Sequence, residues 1–249
     1  LDPISFGQIW PRTVSGVRRH GDMLWSLAAA FLFLPQLLFA RQMNDRLPQQ
    51  WFKGELAIGD GVAVALVVLG SLLFQIMAAR LLVRDGTGGQ PLGRDLKAAF
   101  RLFPAAFAAL MLQGLATGFG LFLLIIPGIW IFTRLSLAMP LVATDQPDPI
   151  NALKTSWALT SGRTLKVFGM LFVLILGFMM LSIGVVGLGS ALGVISTVAA
   201  GAPPAEGWGV GRWLFELLNA GASAAFGTIY IAFITQLMLA LKQHPADKF

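Results

Sequence analysis

Cysteine is absent from the 249 residues, which excludes disulfides, thiol catalysis and any Cys-ligated metal or iron–sulfur cluster. Charge is scarce too: Asp, Glu, Lys and Arg make up 12% of the chain, against roughly 25% in a typical soluble domain. The few acids are scattered, with Asp60, Glu206 and Glu216 toward one side and Asp85, Asp95, Asp145 and Asp148 toward the other. No two of them stand three or four residues apart inside an apolar run, the spacing that a carboxylate metal site or an acid–base dyad would use. G-x-S-x-G, H-E-x-x-H and a Walker lysine are missing. GTGGQ at 86–90 neither follows a buried strand nor opens a phosphate-binding fold, and reads as a flexible link. No catalytic residue, metal, cofactor or enzymatic activity is expected.

Apolar residues are abundant instead, at 56% of the chain, with a mean hydropathy of +0.75. A membrane-spanning helix needs about 20 mostly apolar residues. Six runs qualify, at 22–40, 61–83, 104–124, 128–144, 166–190 and 212–241. No polar stretch between them is long enough to bury a soluble core, so the whole chain, 1–249, reads as one all-α polytopic membrane domain. The first run is long enough to serve as an uncleaved span. Because the chain begins with Leu1, the natural start is expected to lie upstream.

Basic residues set the orientation, since cationic loops stay on the cytoplasmic side. With six spans and an inside N-terminus, the inner segments hold Arg12, Arg18, Arg19, Arg80, Arg84, Arg94, Lys97, Arg101, Lys154, Arg163, Lys166, Lys242 and Lys248. The outer ones hold only Arg41, Arg46, Lys53 and Arg212. Both termini are therefore expected in the cytoplasm. The net charge of +6 reads as topology plus attraction to anionic headgroups. A nucleic-acid partner is not expected, because no basic and aromatic surface domain exists to carry it.

Amphipathic segments precede spans one, three and five, at about 5–20, 91–103 and 148–162. In the last, Asp148 suits the N-cap, Pro149 the first helical position and Gly162 the end. Ile150, Leu153 and Trp157 fall on one face, with Lys154 elsewhere and Arg163 following. The middle segment sets Leu92, Leu96, Phe100 and Phe103 against Arg94, Lys97 and Arg101. In the first, Ser5 and Gln8 form a capping box stapled by Ile4 and Ile9, with Pro11 disturbing the second turn. All three are expected to lie along the headgroups on the cytoplasmic face, with Arg18, Arg19, Arg94, Lys97 and Arg101 touching anionic lipid. The layout suggests three repeats of one interfacial helix plus two spans. The alternative is that any basic stretch before a span looks amphipathic.

The run IIPGIWIFTRLSLAMPLVATDQPDPINALKTSWALTSGRTLKVFGMLF, at 125–172, resembles the core signature of the bacterial membrane-domain family named after glycerophosphoryl diester phosphodiesterase and its stand-alone relatives. The matching residues are Ile126, Pro127, Gly128, the step Arg134, Leu135, Ser136, then Pro140, the helix residues Ala152, Leu153, Lys154, Ser156, Trp157, Leu159, Thr160, and Gly162 with Arg163. The opening SFGQIWPRTVSGVRRHG is similar as well. The resemblance implies a multi-pass protein of the bacterial inner membrane. In the name-giving enzymes the phosphodiesterase is a separate soluble barrel with acidic metal ligands and histidines. Here His20 and His244 stand at opposite ends and no region could be that barrel, so the activity is not carried over.

Arg134 is the residue whose position demands an account, because a charged side chain at the centre of a span costs about 2.5–3.5 kcal/mol on insertion scales. Counting from Gly128 places it about 9 Å along the helix from the turn. Glu216 in the sixth span sits at comparable depth, so a buried Arg134–Glu216 pair is expected, locking two helices or contacting an anion. Pro127 and Gly128 are expected to make the hairpin between spans three and four, and Pro35 and Pro140 to kink spans one and four. Gly177, Gly184, Gly187 and Gly193 offer span five a packing or partner face. Asn219, Tyr230, Thr235, Gln236, Gln75 and Gln113 read as interhelical hydrogen-bond formers. The best functional reading is a non-catalytic integral membrane protein that interacts with lipids, or an accessory subunit with a protein partner or second copy in the membrane. The alternative is a small transporter or channel using Arg134 in a membrane cavity.

Overall fold

The computed structural model describes residues 4–43, 58–84, 92–144, 147–200 and 210–244. All regular structure among them is helical. In chain order the elements are α1 (Phe6–Arg19), α2 (Gly21–Ala28), a π-helical stretch (Ala29–Phe33), α3 (Leu34–Met43), α4 (Ile58–Val83) and α5 (Leu92–Leu123). They continue with α6 (Ile125–Leu135), α7 (Ala138–Thr144), α8 (Pro149–Thr160), α9 (Thr164–Ala200) and α10 (Val210–Gln243). Among the described residues, six stretches are long and apolar enough to cross a membrane, Gly21–Ala40, Gly59–Val83, Gly93–Leu123, Ile125–Thr144, Thr164–Gly189 and Trp213–Gln243. They coincide with the six expected spans.

Two compact units divide the chain, one of Leu1–Trp25, Leu72–Leu174 and Thr228–Phe249, the other of Ser26–Ser71 and Ile175–Gly227. In the first, Leu24, Phe74, Ile76, Met77, Leu137, Leu141, Leu171 and Phe233 are fully buried. Lipid tails are as apolar as these side chains, so close packing and hydrogen bonding hold the helices, not exclusion of water. Asp95, 3% exposed, ties α5 to the end of α4: Arg84 Nη1 donates to its Oδ2 at 2.7 Å, and Arg80 Nε lies 3.6 Å from Oδ1. Arg80 Nη1 also donates to the Ala143 carbonyl of α7 at 3.3 Å.

The segment at 91–103 is not a separate interfacial helix: α5 runs unbroken through Pro104 into span three. A mid-helix proline removes one backbone bond, and the residues around it, AAFRLF before and AAFAAL after, are good helix formers that carry the helix past it. The basic residues Arg94, Lys97 and Arg101 remain exposed on that helix. At α1, Ser5 takes the N-cap position without a side-chain hydrogen bond, so the capping box does not form, although Ile4 and Ile9 are both buried and the helix continues through Pro11. Of the three interfacial helices expected, α1 and α8 stand as separate helices.

Pro127 and Gly128 do not form the hairpin turn. The reversal between α5 and α6 takes one residue, Leu124, in extended conformation (φ −160°, ψ 148°), and Pro127 sits third in α6, where its missing N–H has no helical acceptor in any case. So short a turn forces the two backbones together. A Cβ on Gly120 would stand 2.9 Å from Gly128 Cα, and one on Gly128 would stand 2.6 Å from Leu121 N, so glycine at both positions makes the hairpin possible.

Span four is broken between α6 and α7 at Ser136 and Leu137, ahead of Pro140. The break is closed from α8. Ser156 Oγ donates to the Arg134 carbonyl at 2.7 Å and accepts from Leu137 N–H at 3.2 Å, while Thr160 Oγ1 reaches the same carbonyl at 3.3 Å. Ala152, Ser156 and Thr160 are therefore the buried face of α8. Its apolar residues Ile150, Leu153 and Trp157 are exposed or half-buried. Asp148 caps this helix, with Oδ1 accepting from Ile150 N–H at 3.0 Å and Oδ2 from Asn151 Nδ2 at 2.6 Å. Gly162 follows its end at φ 74°, both as expected from sequence.

In the second unit, the π-helical stretch precedes Pro35, with Leu34 N–H bonded to the carbonyl of Ala29 five residues back. Pro35 cannot donate to the Phe31 carbonyl, and Gly70 of α4 packs against that oxygen: a Cβ there would meet it at 2.3 Å. Phe178 and Phe226 stack at 3.9 Å between centroids. The expected glycine face on α9 is not where the described helices approach closely. A Cβ at Gly177, Gly184 or Gly187 would meet no atom within 4 Å, whereas one at Gly189 would overlap the Phe215 ring. Gly193 lies outside the residues whose side chains are described. Thr235 bonds within its own helix, to the Ile231 carbonyl at 2.7 Å, and not across to a neighbour.

Two substitutions test this packing through the thermal midpoint of the detergent-solubilised protein. Ser156→Ala strands buried backbone groups at the break and should cost about 1–3 kcal/mol, while Ser161→Ala on the exposed side leaves the midpoint unchanged; equal midpoints for the two would contradict the bridging role. Gly70→Ala should cost about 1–3 kcal/mol through overpacking, whereas Gly177→Ala and Gly184→Ala should cost nothing. A neutral Gly70→Ala would show that the contact is not tight.

Candidate functional site

The break in span four fixes Arg134 in the last turn of α6. Trp130 lies one turn earlier on the same face, and the docking of α8 by Ser156 brings Trp157 to the same place. The guanidinium carbon sits 4.4 Å from the Trp130 ring centroid and 4.7 Å from that of Trp157. The two indoles meet edge to face at 4.9 Å and 89°. Each cation–π contact contributes about 0.5–1 kcal/mol when exposed and about 2 or more when desolvated. Together they are of the same size as the roughly 2.5–3.5 kcal/mol that insertion scales assign to an arginine in a span, so Arg134 tolerates its surroundings without a carboxylate.

This replaces the expected account of Arg134. Among the described residues no carboxylate comes within ion-pair distance of it, and Glu216 belongs to the second unit. The α8 helix supplied a better neighbour, because an indole accepts a weakly hydrated guanidinium without itself having to be desolvated as a carboxylate would. Arg134 is midway along the broken span four, and it lies beside the junction of α8 and α9, which carries Gly162, Arg163 and Thr164, at the start of span five.

A cavity of about 530 Å³ opens beside the guanidinium. Ile126, Ile129, Trp130 and Thr133 of α6 form one wall, and Gly162 with Thr164, Leu165 and Phe168 at the start of α9 form the other. Its rim is apolar and open, with Ile126 81% and Leu165 82% exposed. Its hydroxyl donors are committed: Thr133 Oγ1 donates to Ile129 O at 2.8 Å and Thr164 Oγ1 to Thr160 O at 3.1 Å. Arg134 Nε is buried with no hydrogen-bond partner. The first turn of α9 adds backbone N–H groups that lack helical acceptors and the positive end of a 37-residue helix. An acidic head and an apolar tail fit this combination; a small polar solute would leave the apolar rim unused.

The other residues singled out from sequence are dispersed. Arg163 Nη1 donates to the His244 carbonyl, joining the start of α9 to the end of α10. Arg18, Arg19, Arg94, Lys97 and Arg101 are all exposed, and Lys154 lies exposed on α8. Trp130 and the buried pair Ser156 and Thr160 were not identified as site residues. The i, i+4 spacing of Trp130 and Arg134 was the available signal for the first, and the small-polar stripe at 152, 156 and 160 for the second. Among the described residues no group of three His, Asp or Glu is placed to hold a metal ion.

Comparison with curated proteins and with solved structures gives no significant match. A family model, the membrane domain of glycerophosphoryl diester phosphodiesterase, matches residues 108–248. That match runs from the middle of α5 to the end of α10 and contains the broken span, the arginine clamp and its cavity. Six membrane-crossing stretches and a match over more than half of its length make this chain a multi-pass membrane protein, and it belongs to the family of the membrane domain of glycerophosphoryl diester phosphodiesterase.

Proposed function

We propose that the chain is a non-catalytic, lipid-interacting protein of the bacterial inner membrane, with both termini cytoplasmic, and that it holds one anionic amphiphile at Arg134. The observation that carries this reading is the guanidinium clamped by Trp130 and Trp157, with a buried Nε lacking a partner, at the mouth of an apolar cavity. The two indoles meet the cation through their rings and use none of its N–H donors as hydrogen-bond partners, which leaves those donors for a carboxylate or phosphate. Acyl carbons would lie against Ile126, Leu165 and Phe168. The orientation rests on the distribution of Lys and Arg along the chain. An accessory role beside a protein partner is the second reading, supported by the exposed glycines Gly177, Gly184 and Gly187 on α9, which leave room for a helix to approach. The uncommitted arginine fits a bound headgroup better than a transport path, which would call for several ionisable or unwound sites.

Tryptophan quenching by brominated lipids tests the amphiphile reading. In mixed micelles, brominated phosphatidylglycerol should quench more strongly than brominated phosphatidylcholine. Arg134→Gln should abolish that preference, a loss of about 1.5–3 kcal/mol for a hydrogen bond to a charged group, while Arg134→Lys retains part of it. The same preference in wild type and Arg134→Gln would sink the proposal.

A further inference from the structure

A second cavity, of about 410 Å³, lies within the first unit where α1 meets the C-terminal ends of α4 and α10. It shares no residue with the site at Arg134. Arg12 and Arg19, seven residues apart and so on one face of α1, both line it, as do His20, Arg84 and the neutral Gln236. Among the described residues, Arg12 and Arg19 have no carboxylate within ion-pair distance and no side-chain hydrogen bond. Arg84 is held by Asp95, but Asp95 also faces Arg80, so one carboxylate serves two guanidinium groups. The three helix ends that meet here contribute about half a negative charge each, too little to neutralise the remainder.

The cavity is kept open by its smallest residue. A Cβ on Gly16 would lie 3.3 Å from Leu82 Cδ2 and 3.5 Å from Gln236 Nε2, so any longer side chain there would enter the space between α1, α4 and α10. His20 responds to the same surroundings: partial burial, then the charge of Arg19, push its pKa below the usual histidine value. Of the two causes, burial disfavours any charge there, and only the charge of Arg19 also favours an anion beside the imidazole.

We propose that this cavity binds a phosphate monoester through Arg12 and Arg19, carried either on a lipid headgroup or on a soluble molecule. A phosphate monoester bears about −1.5 to −2 charges at neutral pH, which matches two unpartnered guanidinium groups, whereas a carboxylate matches one. Its several oxygens suit the arginine fork, and the amide of Gln236 and an imidazole N–H of neutral His20 supply further donors at the same cavity. This site is independent of the amphiphile reading at Arg134, and either can fail without the other.

Native mass spectrometry of the full chain in detergent, titrated with phosphatidic acid, tests it. Arg12→Gln/Arg19→Gln should weaken binding at least about tenfold, as expected for loss of charge-assisted hydrogen bonds. The matched double variant Lys154→Gln/Lys166→Gln removes the same charge from exposed positions outside the cavity and should change binding by no more than about twofold. Gly16→Leu fills the cavity with every charge in place and should reproduce the arginine loss; all these variants are compared in an Arg134→Gln background, which removes the other amphiphile site from the titration. Because Arg12 and Arg19 are exposed, their replacement leaves folding intact even if Gly16→Leu does not. Displacement by glycerol 3-phosphate at constant ionic strength would assign a soluble phosphate to the site; retention of the lipid under the same competition would assign a headgroup. Equal losses in the two double variants, or no loss in Arg12→Gln/Arg19→Gln, would overturn the proposal by reducing the cavity to diffuse surface charge.

Discussion

In a hydrocarbon surrounding, each backbone N–H or carbonyl left without a partner costs several kcal/mol, and the break in span four creates such groups at Arg134 and Leu137. One hydroxyl, that of Ser156, serves both. That obligation positions α8 against α6 and α7. Trp157 is then carried to the guanidinium of Arg134, and Gly162 and Thr164 are set in the wall of the neighbouring cavity. The helix break, the aromatic clamp and the cavity are consequences of one local need for hydrogen bonds.

Charge is handled in two ways within the first unit. Where a carboxylate is buried, as at Asp95, two arginines converge on it and tie α5 to the end of α4. Where no carboxylate is near, a cation is accommodated by indole faces at Arg134, or left facing a cavity at Arg12 and Arg19. An arginine satisfied by aromatic faces keeps its N–H edge free for a ligand, while one locked to a carboxylate does not. This difference separates the structural pair at Asp95 from the two candidate binding sites.

Much of the architecture was legible because length and apolarity are one-dimensional properties. The six spans, the Asp148 cap, Pro149 at the first position and Gly162 at the end of α8 follow from residue type and spacing alone. Local rules failed where neighbouring helices overruled them. Pro127 and Gly128 carry the composition of a turn, yet the close approach of Gly120 and Gly128 lets a single residue, Leu124, reverse the chain. The expected boundary between an interfacial helix at 91–103 and a span at 104–124 does not form, because the helix formers on either side of Pro104 outweigh one missing bond.

Sequence by itself determined that this protein is all-helical, crosses the membrane several times and lacks cysteine chemistry, since each depends only on which residues occur and how far apart they stand. The residue that demanded an account, Arg134, was also visible in the chain. Its neighbours were not. That Trp157 of α8, and no carboxylate, faces it was decided only in three dimensions, because cation–π contact depends on how a separate helix docks and Ser156 sets that docking across 22 residues of sequence. The basic cavity is of the same kind: Arg12, Arg19 and Arg84 read singly as topology signals, and they become a site only when packing brings α1 onto the ends of α4 and α10.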